Sequence, residues 1–438
     1  MIVDAFRRGF MAHLGDLAGK PILVALSGGS DSVALLALLH EAFATLGCRL
    51  FAAHVHHHLR GLDADADAAF CTELCRTLGV PLTVVHLDPS PPRGTSPEAW
   101  WRAERYRLLD AARESAGCAA TATAHTLDDQ AETVLLKLLR GAGPRGAAAI
   151  RRRRLTVVRP VLDLRRAELR DWLQSRGVTW REDATNLTGD RPRAWLRRHV
   201  VPLLETAYPR VLEQLGAFAQ ALAEDEAFMA AELAGAGSWP AVGRPVPRGP
   251  VAALPPSLRR RWVLALADRL PLAEPPSRVQ LAAVDRMLEG GQPAAVDLGR
   301  RWVLRRRGDR LHLSPPPCLP FTPVTAAIPS TVTLPGGYVA SLGAEALRGA
   351  RYAARLGERV RRVALVWRPA RSGERWPGAG GRLLARVLAA AGVPAECRRA
   401  WPVLEADGTM VWVPGAGVQT GWNADDGPGV GVELEVPW

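Results

Sequence analysis

Lysine is nearly missing from this chain: Lys20 and Lys137 are the only ones in 438 residues, and the remaining basic side chains are arginine. The basic total of 56 against 44 acidic residues leaves a formal charge of +12. Charge alone does not specify RNA, but an excess of this size points to a polyanionic partner, because cationic side chains attract phosphate backbones and release their counterions. Paired cysteines are also missing. Cys48, Cys71, Cys75, Cys118, Cys318 and Cys397 fall into no CxxC spacing, which argues against a zinc ribbon, a persulfide site or a disulfide framework and predicts reduced, partly buried thiols. No apolar run reaches the length of a bilayer span. Asp4, Arg7, Arg8, His13 and Asp16 interrupt any leader-like core in the first twenty residues, so the expected location is cytoplasmic, with no membrane partner.

What is present is a globular composition, 48% hydrophobic and 23% charged, in a chain long enough for two or three domains. Short apolar runs at 22–26, 49–55, 82–87, 118–124 and 155–160 alternate with helical patterns near 30–46, 63–79, 96–116, 128–140, 165–177 and 193–207. Runs apolar on both faces predict a doubly wound α/β domain with a five-stranded parallel sheet. From about 212 the alternation stops; helical patterns at 257–270 and 277–290 lead to a hairpin turning at Gly308 and Asp309. The last hundred or so residues mix strand-like runs with one helix, "GRLLARVLAAAGVP", predicting a small α+β domain. The expected division is 1–211, 212–318 (helical, ending in the hairpin) and 319–438.

The first predicted strand runs into Ser27, Gly28, Gly29, Ser30, Asp31 and Ser32. A Walker loop would carry a lysine to reach the outer phosphates of a nucleotide; none is here. Two glycines allow close backbone approach, and the helix N-terminus that follows favours an anion. The Ser27 and Ser32 hydroxyls can donate to phosphate oxygens. Asp31 would repel a bare phosphate, so a bridging Mg2+ reconciles the two. As a whole, "SGGSDS" after a buried strand resembles the SGGxDS loop of the PP-loop ATP pyrophosphatases. That resemblance implies that the loop holds the pyrophosphate end of ATP and that the product is an adenylate.

Further stretches narrow the superfamily. "HVHHHLR" at 54–60 resembles an HVxHxLR segment, "WRAERYRLL" matches an ARxxRY helix at Arg102, Arg105 and Tyr106, and "AHTLDDQAET" at 124–133 matches AHxxDDQxET. "RPVLDLRRAEL" and the following "EDATN", with Glu182, Asp183 and Asn186, fit a block of the same family, as does 368–418 near the C-terminus. The chain is thereby identified as resembling the tRNA(Ile)-lysidine synthetases. It departs from their RNxIRH pattern, with Ala194 and Arg198 in place of the asparagine and histidine.

The resemblance implies ATP-dependent ligation of free L-lysine to C2 of the wobble cytidine in the CAU anticodon of an isoleucine tRNA. The route is through an O2-adenylated base, with release of AMP and pyrophosphate. It implies ATP seated on Ser27, Gly28, Gly29, Ser30, Asp31 and Ser32, with His56 and Arg105 beside it and Mg2+ held by Asp31 and Asp129. Asp31, Asp129, His125 and Arg197 are the expected catalytic residues. Arg102, Asp128, Glu132 and Arg193 are expected at the substrate, and Asp129 or Glu132 would take the proton that the lysine amine must lose. Asp128 and Asp129 also open a helix, where aspartate caps as readily as it catalyses.

Arg382 and Arg386, with Arg371, Arg375, Arg398 and Arg399, are the expected tRNA grip; Arg151–Arg154 is as easily a solvated face. His54, His56, His57 and His58 lack a cysteine or carboxylate to complete a recognisable zinc pattern, so no metal is assigned to them; His56 and His57 are placed along the nucleotide cleft. Three rival classes remain: a tRNA thiolase, which would want CxxC pairs; a small-molecule amide synthetase, which would not use the basic C-terminal region; and a non-catalytic tRNA-binding protein. No protein partner is implied, and the oligomeric state stays open.

Overall fold

The structure, a computed structural model, describes residues 2–58, 61–88, 90–91, 96–182, 192–235, 238–272, 274–335, 337–343, 351–424 and 429–436. Asp183 and Asn186 lie outside them. The chain divides into two compact units between Phe228 and Met229.

The first unit runs α1 (Ile2–Leu14), β1 (Ile22–Ala25), α2 (Ser30–Leu46), β2 (Leu50–His56), α3 (Leu62–Leu78), β3 (Leu82–His86) and α4 (Pro97–Ser115). It continues with β4 (Ala120–Ala122), α5 (Leu127–Leu139), α6 (Pro144–Ala147), β5 (Arg153–Arg154), β6 (Val157–Val158), α7 (Arg166–Ser175), α8 (Pro192–Trp195), α9 (Val201–Ala207) and the start of α10 (Val211–Ala234). The sheet order is β3-β2-β1-β4-β6-β5. The first five strands are parallel, as expected from their two-sided apolar runs. Side chains alternate between two layers: Ile22 and Val24 join the core shared with α1, α2 and α7, while Leu23 packs with Ala53, Val55 and Leu109 of α4.

Two features were not anticipated. α1 carries Phe6, Phe10 and Leu14 at four-residue spacing into the core, and each such burial stabilises by roughly 1.5–3 kcal/mol. A sixth strand, β5, pairs antiparallel with β6 through a turn in which Leu155 has φ +52°. It lies inside the arginine run 151–154, where charge masks any strand pattern.

The second unit holds two separate cores. One gathers Trp262, Val284, Met287, Trp302, Leu304 and Leu311 from the helices Pro256–Ala267 and Arg278–Leu288 and a four-stranded sheet. The expected hairpin at Gly308 is there, preceded by another between Ala295–Gly299 and Trp302–Arg307. Its turn residues Arg300 and Arg301 both have positive φ, a conformation usually written with Asn or Gly and so invisible in this sequence. The other core is built on Trp367, Trp376, Trp401 and Trp412 between a five-stranded and a four-stranded antiparallel sheet, with the helix Leu384–Ala390 alongside. Two cores support the division near residue 318, which with that at 211 we retain as a proposal. The expectation of free thiols throughout is corrected here: Cys318 and Cys397 form a disulfide across 79 residues, with Cα atoms 4.7 Å apart. Cys48, Cys71, Cys75 and Cys118 are free and buried. No helix among the described residues is long and apolar enough to cross a membrane.

Candidate active site

β1 lies between β2 and β4, so the chain leaves it in both directions and opens a crevice at the C-terminal ends of β1 and β4, where open α/β sheets take ligands. The glycine loop enters from β1. Gly28 has φ +87°, so a side chain there is disfavoured by backbone conformation, although an added Cβ would meet Cys71 Sγ and the Phe70 ring only at ordinary contact distance, 3.5 and 3.6 Å. The Ser32 hydroxyl closes the turn: it accepts from Ser27 N at 3.1 Å and reaches Gly29 O at 3.0 Å. Gly29, Ser30 and Asp31 then present backbone N–H groups without acceptors among the described residues, the arrangement that receives an anion at a helix N-terminus.

The second wall comes from β4 and α5. Thr126 caps α5: its N–H and hydroxyl donate to Asp129 Oδ2 at 3.0 and 3.1 Å. Asp129 Oδ1 is left facing Arg166 Nη2 at 3.0 Å and Arg193 Nη2 at 2.9 Å. Arg166 Nε donates to Asp31 Oδ2 at 2.9 Å, and its backbone N–H to Asp128 Oδ2 at 2.8 Å. One guanidinium therefore joins the loop aspartate to the helix aspartate. Asp128 serves the first turn of α7, whereas Asp129 both caps its own helix and faces the crevice, so the alternative of cap or site does not divide the two residues cleanly.

The two linked aspartates differ electrostatically. Burial pushes the Asp31 carboxyl above its ordinary range, with Arg166 opposing. Burial acts the same way on Asp129, but Arg166, Arg193 and the Thr126 N–H outweigh it and hold this carboxyl low. Glu132, one turn along α5 and only 2% exposed, has both oxygens engaged: Arg197 Nε and Nη2 donate at 2.6 and 3.0 Å, and Arg193 Nε at 2.8 Å. Arg193 lies on α8 and Arg197 in the π-helical turn Leu196–Val200, four residues apart and turned the same way. Ala194 is half-buried and Arg198 exposed.

A third group surrounds His125. Its Nδ1 lies 3.1 Å from Thr123 Oγ1. Burial, reinforced by the charges of Arg159, Arg102 and Arg105 against the pull of Asp129, pushes this histidine down to about 4. Arg102 and Arg105 both lie against the Tyr106 ring, 5.2 and 5.5 Å from its centroid. The Nε of Arg105 and the Nε of Arg159 are buried without hydrogen-bond partners among the described residues, and Arg159 Nη1 donates to Arg151 O.

His125 couples this pocket to acid stability. A histidine at about 6.5 when unfolded and about 4 when folded contributes fully above about pH 6.5 and loses its contribution as pH falls toward 4, a span of about 3 kcal/mol. His125→Gln is expected to flatten that part of the stability profile, measured as the urea midpoint against pH; an unchanged slope would mean that the ring is not neutral and buried.

Among the described residues the polar contacts of His56 are Asp65 Oδ1 at 3.0 Å and the His58 N–H at 3.3 Å, with none to the glycine loop. Arg382 sits in a two-residue strand, not in the helix as expected, and Arg386 in the helix Leu384–Ala390; both are exposed. Of the run 151–154, Arg152 pairs with Asp163 and Arg153 with Asp16, which makes this part of the run a structural seam. Arg166, Arg159 and Thr126 were not singled out from sequence. Arg159 and Arg166 lie in the quoted "RPVLDLRRAEL" block, but nothing in it says which arginines turn inward.

The PP-loop domain family matches residues 4–204, and the TilS substrate C-terminal domain family matches residues 365–435. The chain is 33% identical over 455 residues to a tRNA(Ile)-lysidine synthase of Symbiobacterium thermophilum, covering 94% of this chain and 93% of that one. It is 36% identical over 422 residues to that of Chromobacterium violaceum, covering 92% and 93%. With that of Thermus thermophilus the identity is 39% over 331 residues, covering 74% of this chain but 62% of the relative's length. Two matched domains in the expected order, and near full-length likeness to two of these relatives, show that the chain belongs to the tRNA(Ile)-lysidine synthase family.

Proposed function

We propose that this protein ligates L-lysine to C2 of the wobble cytidine in the CAU anticodon of an isoleucine tRNA, at the expense of ATP. The observation that carries the reading is the meeting of a lysine-free glycine loop with the Arg166-centred carboxylates. The loop N–H groups receive the β and γ phosphates, and the resemblance to the PP-loop ATP pyrophosphatases implies that the bond to break is that between the α and β phosphates. Attack by the cytidine O2 on the α-phosphate releases pyrophosphate and leaves the base adenylated; the lysine ε-amine then attacks C2 and AMP departs with the oxygen. Developing negative charge at the α-phosphate meets nearby cations, Arg193 or Arg197, which is where electrostatic catalysis acts.

Magnesium fits the donor set. Asp31 Oδ2 and Asp129 Oδ1 converge on one positive charge, now Arg166 at 2.9 and 3.0 Å, and carboxylate oxygens are the ligands that Mg2+ accepts. Bound there, it would neutralise phosphate charge, with Arg166 yielding the position. His125, Arg102, Arg105 and Arg159 form an anion pocket suited to a phosphate or to the carboxylate of lysine. In the present arrangement Glu132 and Asp129 both have their two oxygens engaged, so whichever of the two takes the amine proton must first give up an arginine contact.

The test is mass spectrometry of isoleucine tRNA after incubation with ATP and lysine. The wobble cytidine should gain lysine with loss of water; an unmodified base under conditions that consume ATP would overturn the reading. Arg382 and Arg386 are proposed to dock the tRNA. Arg382→Ala with Arg386→Ala should weaken tRNA binding about tenfold or more while sparing ATP binding, since each lost phosphate contact also lowers the salt dependence; filter binding across a salt series reads both.

A further inference from the structure

The histidines of "HVHHHLR" divide into two sets. His54 occupies a fixed position of the HVxHxLR pattern and is spent on structure, its Nδ1 3.0 Å from Leu26 O. His56 and His58 occupy the two open positions, which that pattern does not require to be histidine. In the fold they meet a third ring from far along the chain. β2 and β3 are parallel with His56 opposite His86, so both side chains leave the same face; His58 follows in the bend just beyond the end of β2. His58 has φ +54°, a left-handed backbone state uncommon for a non-glycine residue, and its ring lies against the other two.

The ring centroids are 4.1 Å apart for His56 and His58, 5.4 Å for His56 and His86, and 5.0 Å for His58 and His86. One ring nitrogen from each lies within 4.8 Å of the others. His58 Nε2 and His86 Nδ1 face each other at 2.9 Å. His56 is buried and its Nε2 contacts Asp65 Oδ1 at 3.0 Å. A carboxylate on one imidazole nitrogen fixes the tautomer, which is how ligating histidines are usually supported; the other nitrogen of His56, Nδ1, accepts the His58 N–H at a long 3.3 Å, a contact that a bound metal would replace. His58 and His86 are exposed, so an ion could enter from solvent.

We propose that His56, His58 and His86 form a binding site for a borderline divalent transition metal of the zinc class, with Asp65 orienting His56. Three imidazoles and a fourth position open to solvent suit Zn2+, Co2+ or Ni2+; a donor set without oxygen does not suit Mg2+, so the site is chemically distinct from Asp31 and Asp129. Spacing in sequence hid it, because the third ligand lies on the neighbouring strand.

Metal-free full-length protein titrated with Co2+ tests this. The native chain should take up one equivalent, with the visible absorption of low-coordinate cobalt, and Zn2+ should displace it. His86→Ala and His58→Ala should each abolish that spectrum and weaken binding more than tenfold, and Asp65→Asn should weaken it about 10–100-fold. Circular dichroism of the metal-free variants controls for folding, and His86→Asn and His58→Asn replace any alanine variant that fails it. Absence of a saturable spectrum in the native chain, or an unchanged one in correctly folded His86 and His58 variants, would overturn the proposal.

Discussion

Replacing Arg166 with alanine is expected to lower stability by roughly 3–5 kcal/mol and to make part of what remains depend on magnesium. Removing one member of a buried ionic group costs this much because the partners stay behind uncompensated. Here Asp31 and Asp129 lose the cation between them, with Arg166 itself only 16% exposed along its side chain. If the same two carboxylates can hold Mg2+, millimolar magnesium should raise the melting temperature of the Arg166→Ala protein clearly more than that of the native protein, because only the variant has a vacated position. A variant that melts like the native protein would show that the network contributes little. One that is destabilised but blind to magnesium would remove Asp31 and Asp129 as a metal pair, leaving the rest of the reading intact.

Asp129→Asn carries the second large effect. Asparagine retains an oxygen that can accept from Thr126, so the cap on α5 survives in part, but the carboxylate facing Arg166 and Arg193 is gone. The expected result is a fall of about 10²–10³ in tRNA-dependent pyrophosphate release, the scale seen when one fixed electrostatic contact is removed from a reacting centre. The two variants separate architecture from chemistry: Arg166→Ala should hurt stability first, Asp129→Asn turnover first. Asp129→Asn protein that still adenylates tRNA and still transfers lysine at native rates would exclude this carboxylate from both steps.

Sequence patterning located the site better than it described it. The β1–loop–α2 passage was legible because a two-sided apolar run, two glycines and a following helical period each have one structural meaning, and together they place Ser27–Ser32 at a strand end. The segment from His125 to Glu132 was legible through its match to the AHxxDDQxET pattern and the helical period that follows. What was not legible is which charges pair. Arg165 and Arg166 are adjacent; Arg165 pairs with Glu205 and Arg166 enters the site, a difference set by the half-turn at the start of α7 and not by residue type. Which of Asp128 and Asp129 would cap a helix was not legible for a similar reason, since a cap is defined by backbone direction; both do, Asp129 on Thr126 and Asp128 on the first turn of α7. Contacts formed across long separations, such as His86 with His58 or Cys318 with Cys397, leave no local pattern at all. Arg153 and Arg154 became a strand because the apolar β6 offered a free edge, which overrode their own charge.

The most direct measurement follows the α-phosphorus of ATP. With α-labelled ATP, isoleucine tRNA and no lysine, the label should appear on the tRNA, and adding lysine should release it as AMP. Label recovered as ADP would mean cleavage at the terminal phosphate, and the lysine-free glycine loop would then not be holding pyrophosphate as its leaving group.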